Sequence, residues 1–107
     1  MEKRATGDFF ASVLTQVAAD ALIARGPVLL HGVSVTGDDG TAIATLHNGA
    51  NENGTVLVTI SGASTITVGI DYSEPVYCER GIYVNLSGGA TNQAVSVQWS
   101  PIRQIGA

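Results

Sequence analysis

From residue 27 onward, short apolar runs alternate with turn residues along the chain. Val28–Thr36 (VLLHGVSVT) comes first, rich in β-branched residues. Ala42–His47 (AIATLH) follows the turn cluster Gly37-Asp38-Asp39-Gly40, and Val56–Ile60 (VLVTI) follows Asn53-Gly54. Ile66–Ile70 (ITVGI) follows Ser61-Gly62-Ala63-Ser64, and Ile82–Leu86 (IYVNL) and Ala94–Trp99 (AVSVQW) close the series. Within the runs apolar residues recur at every second position. Val56, Val58 and Ile60 share one face, as do Ile66, Val68 and Ile70. Ile82, Val84 and Leu86 share another, and Val95, Val97 and Trp99 a fourth. A period of two sets one face of a strand toward a core and the other toward water, which is the habit of antiparallel sheets. No helical segments intervene to make parallel crossovers. The pattern predicts an all-β fold of two antiparallel sheets packed face to face as a β-sandwich.

The punctuation agrees with the pattern. Asn48-Gly49 and Asn53-Gly54 tolerate the positive φ that tight turns use, and Gly88-Gly89 serves similarly. Pro75 and Pro101 fall at expected strand edges, where a missing N–H does least harm.

The first 26 residues admit two readings. Asp8 can cap a helix carrying Phe9, Phe10, Val13, Leu14, Val17, Ala18, Ala21 and Leu22 at helical spacing, ended by Gly26-Pro27. Alternatively an extended arm leads into a strand over 18–24. The uniform β character of the remainder favours the arm, which divides the chain into an N-terminal arm or short helix (1–17) and a sandwich domain (18–107). Phe9 and Phe10, with Val13 and Leu14, are then the candidate partner-binding residues. Adjacent aromatics on an arm would stand in water unless a partner covers them.

Composition narrows the function. The chain has 107 residues, one domain's worth, with 13% charged residues and a net charge of −4. That charged share is about half the usual one, which points to surface covered by other copies or by a partner. Lys3, Arg4, Arg25, Arg80 and Arg103 are scattered, so no basic patch for nucleic acid exists. No apolar run reaches the roughly 18 residues of a bilayer span, and the N-terminus lacks a signal peptide's apolar segment. We therefore expect no membrane partner and synthesis in a cytoplasm. Cys78 is the single cysteine and has no internal disulfide partner.

His31 and His47 lie on different expected strands without metal-ligand spacing, and read as strand residues. Cys78 reads as a small buried apolar group. The turns Asn48–Gly54 and Asp38-Asp39-Gly40 are oxygen-rich but lack calcium-loop spacing, and read as turn chemistry. Asp71, Glu74 and Glu79 form no acid–base pair, and there is no phosphate loop. Tyr72, Tyr77 and Tyr83 would make a sugar-stacking shelf if the fold gathered them beside Trp99. We expect no enzyme, no cofactor and no metal.

Four stretches carry a resemblance. They are Gly26-Pro27-Val28-Leu29-Leu30-His31-Gly32-Val33-Ser34-Val35, then Ala44-Thr45-Leu46-His47-Asn48-Gly49, then Gly81-Ile82-Tyr83-Val84-Asn85-Leu86-Ser87-Gly88-Gly89, and Val95-Ser96-Val97-Gln98-Trp99. Over roughly residues 18 to 100 the chain resembles small bacteriophage virion proteins. The resemblance implies a jelly-roll-like β-sandwich and a capsid decoration (cement) protein that bridges capsomers. Its implied partners are the major capsid protein and further copies of itself, as a homotrimer. The implied location is the capsid exterior of a virion, after synthesis in a bacterial host. A head-fibre or tail-associated receptor- or carbohydrate-binding module is the alternative.

Overall fold

The computed structural model describes residues 13–38, 40–63, 66–88 and 93–102. They form eight strands: β1 (Val13–Val17), β2 (Ala21–Arg25), β3 (Val28–Thr36), β4 (Ala42–Asn48), β5 (Thr55–Gly62), β6 (Thr67–Cys78), β7 (Gly81–Gly88) and β8 (Ala94–Pro101). One sheet has the order β1-β8-β3-β6 and the other β2-β7-β4-β5. β1 pairs with β8, β2 with β7, β3 with β6 and β4 with β5, all antiparallel. The chain is thus one long hairpin with β4–β5 at its tip, wound on itself. The pairings β3–β8 and β4–β7 close the winding into two four-stranded sheets. That topology is the eight-stranded jelly roll, and the expected all-β antiparallel sandwich is what the chain forms.

The core lies between the sheets. Leu30, Val33, Val35, Val95 and Val97 of the first sheet face Ala42, Ala44, Leu46, Ile82 and Val84 of the second, all buried. Burying a branched aliphatic side chain contributes roughly 1.5–3 kcal/mol. This aliphatic layer supplies the main drive for folding, and it fills the space between the sheets.

β3 shows how the sequence manages its pleat. Val28 and Leu30 are buried at even positions, Val33 and Val35 at odd ones. A strict alternation would put one pair in water. The change of phase is a β-bulge: Leu30 pairs with Trp99, but Gly32 pairs with Gln98, so His31 is the extra residue. Opposite it, β6 makes a wider excursion. Leu30 pairs with Val76 and Gly32 with Asp71, which leaves Tyr72, Ser73, Glu74 and Pro75 out of register. A Cβ on Gly32 would meet the Asp71 Oδ1 at 2.9 Å and the Ile70 carbonyl oxygen at 3.0 Å, so a larger residue at this crossing would push the Asp71 side chain aside.

Three expectations are corrected. The N-terminal boundary moves: Val13–Val17 is no arm but the edge strand β1, in unbroken register with β8 from Val13↔Trp99 to Val17↔Val95. The short segment VLTQV becomes a strand because β8 offers it a ladder. The helical alternative fails over the described residues, since 13–17 and 21–25 belong to different sheets. The expected strand over 18–24 begins later, at Ala21, because Asp20 turns the chain and accepts the Leu86 N–H at 2.7 Å. Val56, expected in the core, is 54% exposed. β5 bulges at Leu57, between the pairs Leu46↔Val58 and His47↔Val56, and Val56 falls on the outer face.

Candidate functional site

The inter-strand register writes out the outer face of the first sheet in rows. Leu14, Gln98, Gly32 and Asp71 form one, and Gln16, Ser96, Ser34 and Gly69 the next. At the end of the sheet, Thr36 and Thr67 join their hydroxyls at 2.7 Å. Gly32 and Gly69 lower the middle of this face, making a shallow groove of about 200 Å³ with Leu14 on one side and Asp71 on the other. The second sheet's outer face is built alike: Tyr83, His47 and Val56 in one row, Asn85, Thr45 and Thr59 in the next, Ser87, Ile43 and Ser61 beyond.

Charge is almost absent from both faces. β1, β3, β4, β5, β7 and β8 contain no Asp, Glu, Lys or Arg. Among the described residues the charges sit in the connections (Asp20, Asp38, Glu52, Glu79, Arg80) or on the edge strands β2 (Arg25) and β6 (Asp71, Glu74). An exposed β face of serine, threonine, glutamine and glycine can be covered by another protein without stranding an ion in a dry contact.

Val13 and Leu14, two of the candidate partner-binding residues, stand side by side on the outermost strand of the first sheet. Val13 is 42% exposed, and Leu14, at 67%, is the most exposed large apolar residue described. Their partners in that expectation, Phe9 and Phe10, lie outside the described residues. Sequence reading passed over Gln16, Gly32, Asp71 and Gln98, which complete this surface. The signal that could have found Gln16, Gly32 and Gln98 is the run of strands without a charge; Asp71, on the charged edge strand β6, carries no such signal.

The residues with chemical potential are held in structural roles. His31 and His47 lie on different sheets. His31 Nε2 is hydrogen-bonded to Ser100 Oγ at 2.8 Å, and His47 Nδ1 donates to the Gly54 carbonyl at 3.0 Å. Ser100 is buried. The oxygens of the 48–54 turn are likewise engaged. Asn51 Oδ1 accepts from Asn53 N, Asn48 Oδ1 from Arg80 N, and Glu52 Oε2 from Asn85 Nδ2. Among the described residues no three of His, Cys, Asp and Glu stand close enough to hold a metal together.

Cys78 is fully buried beneath the first sheet, and burial pushes its thiol up to about 11. It is therefore a thiol, not a thiolate nucleophile, at neutral pH. The tyrosines do not make a shelf. Tyr72 packs against the core, where burial raises its hydroxyl's pKa. Tyr77 is exposed on the first sheet, and Tyr83 lies on the outer face of the second.

No family model matches the chain and no curated protein matches it. Among solved structures, the chain is similar to one from the cryo-EM structure of the giant freshwater prawn Macrobrachium rosenbergii extra small virus (XSV) VLP. The identity is 9% and the TM-score 0.37, over 92% of this chain and 85% of that one. At that score the likeness assigns no function.

Proposed function

We propose that this chain is a structural protein of a bacteriophage virion, one that binds the capsid surface and cements it by bridging capsomers. The observation that carries the proposal is the pair of outer faces almost free of charge, on a sandwich whose interior is filled with aliphatic side chains. An uncharged outside is suited to being covered by another protein. The jelly roll by itself does not choose, since capsid proteins, lectins and cupins all use it. The strand motifs at 26–35, 44–49, 81–89 and 95–99, which resemble those of small phage virion proteins, support the capsid reading. Many copies on one shell would add weak contacts into firm attachment.

The tyrosines weigh against the carbohydrate-binding alternative, because Tyr77 and Tyr83 are on opposite outer faces of the sandwich. The test is to detect this chain in purified particles, count its copies against the major capsid protein, and compare shells with and without it under heat. We expect a copy number set by the shell's symmetry and a lower disruption temperature without it. A chain absent from particles overturns the reading.

A further inference from the structure

We infer that β1 is an association edge, and that its occupant is the β1 strand of a second copy of this chain. Among the described residues the two sheets have four edge strands: β1, β6, β2 and β5. An exposed edge presents unpaired N–H and C=O groups, and proteins blunt such edges with charge, proline or bulges. Three of these edges are blunted. β2 breaks register between Leu22 and Ala24 and ends on Arg25. β5 bulges at Leu57. β6 carries Asp71, Glu74 and Pro75, the last two in a four-residue excursion. β1 has none of these devices. It runs Val13-Leu14-Thr15-Gln16-Val17 in continuous register with β8, without charge, proline, glycine or bulge, and shows Val13 and Leu14 to solvent.

The sequence of β1 is complementary to itself. Paired antiparallel about a two-fold axis through Thr15, it sets Val13 against Val17 of the other copy, Leu14 against Gln16, and Thr15 against Thr15. No like charges meet, and β-branched residues pair with β-branched residues, which favours a ladder. The first sheet would then run on through both copies as eight strands, and the uncharged outer face would double in width. The contact is isologous, so it closes at two copies. This differs from the trimer that the sequence resemblance implies, and it does not depend on the virion reading.

The test is sedimentation equilibrium of the full-length chain and of two double variants at exposed outer-face positions. L14K/Q16K sets lysine opposite lysine twice across the pair, whereas L14K/Q16E sets lysine opposite glutamate twice. Over about 10 µM to 1 mM, a range suited to a short edge contact, the wild type should climb from 11.0 kDa toward twice that mass. L14K/Q16K should remain a monomer with an unchanged circular dichroism spectrum. L14K/Q16E should associate at least as well as the wild type and lose that association in salt. A wild type that stays monomeric to 1 mM overturns the inference, as does a trimer, or any assembly to which both variants are indifferent.

Discussion

The indole Nε1 of Trp99 donates a hydrogen bond to the Thr15 hydroxyl at 3.1 Å, across 84 positions of the chain. It ties the edge strand β1 to β8 from the inner side, as a diagonal contact two residues off the direct pairs Val13↔Trp99 and Thr15↔Val97. Replacing Thr15 with valine keeps the shape and removes the acceptor, leaving a half-buried indole N–H without a partner. That should cost about 1–2 kcal/mol. Thr15→Ser should recover most of it. Urea unfolding followed by the emission of Trp99, the chain's one tryptophan, gives the midpoint. The midpoint should fall for the valine variant at an unchanged slope.

Two glycines share a left-handed backbone but differ in the space around them. Gly26 has φ +72° with nothing within 4 Å of where a Cβ would stand, whereas Gly81 has φ +121° and a Cβ there would run into the Ala24 carbonyl oxygen. Gly26→Ala should therefore cost only the backbone strain, about 1–2 kcal/mol. Gly81→Ala should cost clearly more, because β7 must move away from β2 at its first pair, Arg25↔Gly81. Thermal unfolding of the two variants side by side checks the order. Equal losses would mean that the β2–β7 corner yields freely.

How much of this was legible in the sequence varies by element. β3 was legible end to end, because Val28–Thr36 is an apolar run between Pro27 and the Gly37–Gly40 turn. β1 was not, since five residues without a flanking turn signal acquire strand character only through β8, more than seventy residues away. The second half of β6 was missed because Asp71, Ser73, Glu74 and Pro75 have a loop's composition. Those residues are tolerated there because β6 is an edge and its excursion lies opposite the His31 bulge. Of the interaction surface, Val13 and Leu14 were singled out as exposed apolar residues. The row joining Leu14 to Gln98, Gly32 and Asp71 exists only in the register, which local pattern does not encode.

The bulge at Leu57 gives a sharp test of the β5 face. Simple alternation treats Val56 and Ile60 as equals, yet Val56 is 54% exposed and Ile60 only 6%. Ile60→Ala should cost about 2–5 kcal/mol, the range for emptying a core aliphatic site. Val56→Ala should stay within about 0.5 kcal/mol of wild type. Chemical denaturation of both variants decides it. A large loss at Val56 would mean that β5 pairs with β4 without the bulge.

Cys78 should give the fold an alkaline weakness. An ordinary cysteine thiol has a value near 9.0, and in the folded chain burial raises Cys78 to about 11. Between those values the unfolded chain gives up this proton while the folded chain keeps it. The folded state then binds more protons, and stability falls as pH rises through that window. Below about pH 9 both states are protonated and the full contribution is present. The loss by pH 11 should be on the order of 2 kcal/mol. Tyr72 also has a raised pKa, from burial first and from the nearby Cys78 second, and it acts with the same sign. The contribution of Cys78 is therefore the difference between wild type and Cys78→Ala. The variant starts lower at pH 7 because it leaves a small void, and its stability should decline less steeply above pH 9. Parallel curves would show that the thiol ionises in place without disturbing the core. Alkylation gives an independent measure: at pH 8 Cys78 should react slowly in the native chain, and at the rate of a free thiol only once denaturant opens the sandwich.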